Sequence, residues 1–219
     1  MSKALIGKKR EMSQIFNDQG AVVPVTIIEA GPCAVTQVKR ADGPDGYNAY
    51  QISGIERSKN VPKPQLGHFK KAGVKPAFSM REVRFEGEPA LKVGDAITVE
   101  AFAVGEMVDV QGHTKGRGFA GGIKRHGFSG GPGAHGTKFM REGGSVGQNT
   151  SPSHIWPGKR MAGHLGNEKV TARNLLIVKV DKERNLLYVR GAVPGHPEAE
   201  VFVRPAVAGS LRKPRRKKA

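Results

Sequence analysis

Cysteine is nearly absent: Cys33 is the only one in 219 residues. That excludes a disulfide framework and a thiolate metal centre. Acidic residues are also scarce, with 19 Asp and Glu against 36 Lys and Arg, for a formal net charge of +17. A chain this unbalanced repels itself when compact unless a polyanion compensates, and nucleic acid is the usual one. An anionic membrane is the rival partner. The sequence has no long apolar stretch, basic amphipathic helix or lipidation signal to support it. Residues 1–10 hold no apolar core of signal-peptide length, so a cytoplasmic location is expected. Asn149-Thr150-Ser151 matches a glycosylation sequon, which without secretion is a chance match. No internal repeat recurs at solenoid periods.

The most distinctive stretch runs from 112 to 166. It contains about half of the 30 glycines and most of the 7 histidines. Lys115, Arg117, Lys124, Arg125, Lys138, Arg141, Lys159 and Arg160 stand there against a single acid, Glu142. No apolar run in it suits a core strand or an amphipathic helix. An irregular segment of this length is either disordered or functional. Phe119, Phe128, Phe139 and Trp156 are the wrong composition for a solvating linker. Glycine permits close backbone approach, basic side chains neutralise phosphates, and aromatic rings stack on bases. Together they point to a loop that orders against RNA.

Either side of this loop the pattern is β. Strands are expected at 22–28, 34–39, 47–53, 80–86, 97–102, 107–111, 174–180, 185–190 and 200–204, with Asp181–Arg184 as a hairpin-like connection. Residues 1–20 fit either a turn of helix or an extended arm. Residues 54–79 read as a second irregular basic segment, either a solvated loop or a further RNA contact through Lys70 and Lys71. Short strands with few helical patterns predict a mainly β fold, a closed β-barrel made of 1–111 and 167–208. The 112–166 loop is inserted into it, and a basic tail, 209–219, follows it.

Other motifs in the loop carry less. Residues 116–121 match the dinucleotide-binding glycine pattern, but that pattern works by opening a helix inside a βαβ unit. Residues 122–127 make a poor helix and the chain does not alternate strand and helix. His113, His126, His135, His154 and His164 have no helical spacing or acidic partners suited to a metal. Glu142 alone gives no paired acid–base chemistry, and no serine sits in a nucleophile elbow. No enzyme, cofactor, metal or small-molecule substrate is expected. A general DNA-binding protein is the other alternative, and it would need a recognition helix or wedge that the sequence does not show.

Phe102, Asp109, Gly112, Thr114, Lys115, Gly116, Arg117, Gly118, Gly121 and Arg125 then form a signature that resembles the third large-subunit ribosomal protein family, bacterial type. Segments 24–26, 63–74, 144–147, 158–163 and 191–195 resemble it in the same order. The resemblance implies a translation-protein-like β-barrel and a structural, non-catalytic constituent of the large ribosomal subunit. It implies binding to 23S rRNA, including near its 3′ end, early in assembly. The long loop would thread towards the peptidyl transferase centre, and the fourteenth and nineteenth large-subunit proteins would be neighbours. On that reading Lys115, Arg117, Lys124 and Arg125 clamp phosphates where the loop leaves the barrel. Lys138, Arg141, Lys159, Arg160 and His164 line the deeper RNA path. Lys8, Lys9, His113, His126, Trp156 and the tail residues Arg212, Arg215 and Arg216 add contacts. Gly116, Gly118, Gly121, Gly130, Gly131 and Gly133 let the backbone lie against RNA. Two positions depart from the family pattern. Glu11-Met12-Ser13 replaces Gly-Met-Thr, and Thr150 stands where some bacterial members carry a methylated glutamine, so the modification is not carried over to the nearby Gln148.

Overall fold

The computed structural model describes residues 3–207. The tail residues Arg212, Arg215 and Arg216 lie outside them. The described residues divide into two compact units, 3–113 with 169–207, and 114–168.

In the first unit two sheets share one core. The first contains β1 (Leu5–Phe16), β2 (Val22–Glu29), β7 (Met107–His113), β10 (Lys169–Asp181), β11 (Leu186–Arg190) and β12 (Glu200–Pro205). These pair antiparallel in the order β1-β12-β7-β10-β11-β2, and β2 pairs again with β1. Every strand of this curled sheet therefore has two partners. The second sheet has the order β5-β4-β3-β6, from β3 (Cys33–Lys39), β4 (Ala49–Glu56), β5 (Ala77–Arg84) and β6 (Ala96–Ile97).

β-branched residues explain the placement of the core. Val108 and Val110 on β7, Val201 and Val203 on β12, Ile177 on β10 and Leu187 and Val189 on β11 are fully or almost fully buried. Their inward side chains recur at the two-residue period of a half-buried strand. Ile6 continues this core towards Val35, Tyr50 and Ile52 of the second sheet. The sheets approach closely at Gly54, where an added Cβ would lie 2.5 Å from Ile6 Cβ. Cys33 is buried beside β1. Its Sγ accepts from the Ile6 N–H at 3.2 Å, and burial pushes its thiol up to about 11.

Several expectations need correction. Between the two alternatives left open for residues 1–20, the extended one holds: residues 5–16 form a twelve-residue strand, because Leu5 and Ile6 have core partners and the outer half pairs with β2. The basic segment 54–79 is not wholly irregular: it holds helix α1 (Lys63–Ala72). Proline in the first turn supplies a helical φ, Gly73 closes the helix in a left-handed conformation at φ 67, and Phe69 is buried. Burying that one ring is worth about 2–3 kcal/mol, which compensates for a sequence rich in Lys and Gly. The strand expected at 97–102 is only the pair Ala96–Ile97, followed by a 3-10 turn at Val99–Ala101.

Asp109 is the buried charged exception on β7. Its Oδ1 accepts from the Asn174 N–H at 3.0 Å, and Arg204 lies 3.8 Å from its Oδ2. The pairing of β10 with β7 shifts register between Ala172 and Leu175, where Asn174 takes a positive φ of 56. The carboxylate thus satisfies a backbone donor that the irregular ladder leaves over.

Candidate nucleic-acid interface

The second unit begins and ends side by side. Thr114 N–H donates to the Glu168 carbonyl at 2.9 Å, and Glu168 N–H donates to Thr114 Oγ1 at 3.2 Å. Arg117 N–H reaches the Leu165 carbonyl and Leu165 N–H the Gly118 carbonyl, both at 2.9 Å. β8 (Phe119–Ala120) and β9 (Gly163–His164) then pair antiparallel. The stem has little room: a Cβ on Gly166, which takes φ +78, would collide with the Lys115 carbonyl.

Beyond the stem lies helix α2 (Gly122–His126), closed by Gly127 at φ 73. The expectation of no helix in this stretch is corrected to one short helix. Lys124, Arg125 and His126 occupy its last turn, where cations are favoured by the carbonyl end of the helix. Arg125 Nη1 donates to the Met161 carbonyl at 2.9 Å, and His126 Nε2 lies 3.0 Å from the same oxygen. The two expected phosphate ligands therefore also tie α2 to the returning strand. Lys115, Arg117 and Lys124 are exposed.

The distal part is held by sparse contacts. Gly131 N–H donates to the Met140 carbonyl at 3.0 Å, and Lys159 N–H to the Trp156 carbonyl at 3.2 Å. Lys138, Arg141, Lys159 and Arg160 are exposed, and so is His164 in β9. No ion pair is formed by any of the eight Lys and Arg of this unit among the described residues. The Trp156 indole is 66% exposed, with the His154 ring edge-on at 5.3 Å. Phe119, one of the four loop aromatics noted in the sequence, is 79% exposed. The Met161 carbonyl is a main-chain group and had no sequence signal.

The glycines separate into two groups. Gly130 and Gly131 are closed by protein: an added Cβ would lie 2.5 Å from the Met140 carbonyl at Gly130 and would strike the Phe139 ring at Gly131. Gly118, Gly121 and Gly133 have open space around them, and Gly116 meets only Asn167 Cβ at 3.8 Å. Those four leave backbone accessible to another surface.

The remaining basic positions lie in the first unit. Lys9 Nζ donates to the Val193 and Gly195 carbonyls at 2.7 and 2.9 Å, and Lys8 lies 3.8 Å from Glu198. Both cations face protein oxygens. Lys70 and Lys71 are exposed in the last turn of α1, and His113 is exposed at the end of β7.

An excess of unpaired cations, two highly exposed aromatic rings and open glycine backbone suit a polyanion with bases available for stacking. Comparison with known proteins agrees with this chemistry. Residues 81–185 match the model of the family described as ribosomal protein L3. The large ribosomal subunit protein uL3 of Prochlorococcus marinus is 54% identical over 207 residues, covering 94% of each chain. That of Pelotomaculum thermopropionicum is 53% identical over 207 residues, covering 94% of this chain and 98% of its own. The uL3 of Synechococcus elongatus is 51% identical over 207 residues, with 94% and 97% covered. With half its residues identical to these proteins along nearly their whole length, the chain belongs to the ribosomal protein L3 family.

Proposed function

We propose that this protein is a structural, non-catalytic constituent of the large ribosomal subunit, working in the cytoplasm, and that residues 114–168 are its main rRNA-binding module. The observation that carries the reading is the set of exposed, unpaired cations in that unit beside Phe119 and Trp156. Lys115, Arg117, Lys124 and Arg125 meet phosphates at the stem, and Lys138, Arg141, Lys159, Arg160 and His164 meet them further out. Family membership supports 23S rRNA as the polyanion, with contacts near its 3′ end. It also supports an approach of the distal loop to the peptidyl transferase centre and the fourteenth and nineteenth large-subunit proteins as neighbours. The cyclic strand pairing of the first unit supports reading it as the closed, translation-protein-like barrel of that family. Recognition is mainly of backbone and shape, because the deep major groove of A-form RNA is closed to side chains.

The test is sedimentation of cell extract on sucrose gradients at low and high salt, probing for this chain. Co-migration with the large subunit at both salts is expected, since a buried, shape-matched component does not depend on charge alone. A purely electrostatic binder loses roughly three to five orders of magnitude in affinity over a modest rise in salt. Recovery at the top of the high-salt gradient would overturn the reading.

A further inference from the structure

The second sheet of the first unit carries a groove unlike the rest of this basic protein. One hollow of about 880 Å³ is lined by Tyr50, Phe85, Leu91 and Ile97 among others. A second, of about 510 Å³, adjoins it, with Asn48 and Glu88 lining both. The floor is fixed. Tyr50 and Phe85 stack with centroids 4.2 Å apart, and the Tyr50 hydroxyl accepts from the Ala90 and Leu91 N–H groups at 2.5 and 3.1 Å. β6 lies at one end of the sheet order, and its Ile97 forms part of the groove wall.

Charge decides what this groove can accept. Of the basic residues lining the larger hollow, Lys3 is held by Glu106 at 2.7 Å and by the Ala101 carbonyl at 2.6 Å. Arg84 lies over the Tyr47 ring, 4.6 Å from its centroid. Glu86 and Glu88, which line the same hollow, form no ion pair among the described residues. At the second hollow Arg40 and Asp42 are both present and offset one another. Arg84 keeps its charge, so a polyanion brought to this groove would meet two carboxylates without ion pairs against one such guanidinium, beside apolar rings. A cationic, partly apolar chain would meet complementary groups.

We infer that the groove docks an extended segment of a partner protein, with alternate apolar side chains in the trough and Lys or Arg at Glu86 and Glu88. Two adjoining hollows suit an extended polypeptide, whose successive side chains point to opposite faces. This docking is independent of rRNA binding by residues 114–168.

The test uses the full-length protein and a fluorescein-labelled peptide alternating lysine with leucine and phenylalanine. The comparison probes are the same peptide with glutamate for lysine and a single-stranded RNA oligonucleotide. Hydrogen exchange should slow at residues 47–50 and 84–98 with the lysine peptide and with neither comparison probe. Glu86→Lys with Glu88→Lys, both surface positions, should weaken the lysine peptide at least tenfold, whereas Glu183→Lys should leave it unchanged. Circular dichroism of each variant checks the fold. The inference fails if the lysine peptide gives no protection in these segments, or if the double variant binds it as the parent does. It fails equally if the RNA oligonucleotide produces that protection.

Discussion

The Arg125 guanidinium and the Met161 carbonyl are joined by a 2.9 Å hydrogen bond across 36 residues of sequence. This contact holds the short helix α2 against the returning strand. Gly163 is part of it, because a Cβ there would stand 2.6 Å from Arg125 Nη1. Arg125→Ala should therefore speed amide exchange about fivefold across residues 117–127 and 161–166, the effect of losing about 1 kcal/mol of local stability. The strands of the first unit should exchange as before. Unchanged exchange in the stem would show that the bond does not stabilise it.

Gly54 should tolerate no side chain. Its Cβ position lies 2.5 Å from Ile6 Cβ and 3.1 Å from the Ile6 carbonyl, so Gly54→Ala must separate β1 from β4. Overpacking of this kind costs about 1–3 kcal/mol. Urea unfolding, followed by far-ultraviolet circular dichroism, should show the midpoint falling without a change in slope.

Cys33 makes stability depend on alkaline pH. Its thiol is raised from 9.0 to about 11 in the fold, chiefly by burial. Between those values the unfolded chain releases a proton that the folded chain keeps, so rising pH favours unfolding. The stability is fully present below pH 9 and is lost as pH rises through the window to about 11. From pH 8 to pH 10 the parent should lose about 1 kcal/mol more than Cys33→Ala. Iodoacetamide should label Cys33 only after denaturation, because the reactive species is the thiolate.

Reversing charge at the stem should impair RNA binding without unfolding the protein. Arg117 and Lys124 are exposed, and neither forms an ion pair among the described residues. Arg117→Glu with Lys124→Glu should lower the slope of log affinity against log salt by about 2 in filter binding to large-subunit rRNA. Assembly into subunits should fall with it. Normal incorporation of the double variant would remove these two residues from the phosphate contacts.

Trp156 provides a direct optical signal as the only tryptophan, with its indole 66% exposed. Its fluorescence should be quenched when rRNA fragments bind. Trp156→Ala should weaken binding by about 1–3 kcal/mol if the ring stacks on a base. Quenching without any loss of affinity in the variant would place the ring near RNA but not in a stack.

Most strands could be read from β-branched runs such as 22–28 and 174–180, where local preference and burial agree. α1 was missed because Lys63–Ala72 is poor in helix-forming apolar residues. The chemical marks of its ends were nonetheless present, proline in the first turn and Gly73 after the last. β1 was ambiguous because its outer half is exposed, and its strand form depends on pairing with β2. In the candidate site, the basic side chains could be read from composition. The partners of Arg125 and of Gly131 are main-chain or ring atoms brought in from distant positions, and no local pattern announces them.

The hydrogen bonds that bring Thr114 against Glu168 also define a problem of search. His113 and Lys169 face one another in the ladder between β7 and β10, so without the intervening residues these strands would form an ordinary hairpin. The inserted unit instead requires the folding chain to close a long excursion before the ladder can start. Each doubling of loop length adds about 0.6 kcal/mol of entropy cost. Relative to a two-residue turn this amounts to about 3 kcal/mol. Replacing residues 114–168 with a two-residue turn would therefore accelerate folding of the first unit while removing the surface proposed to meet RNA.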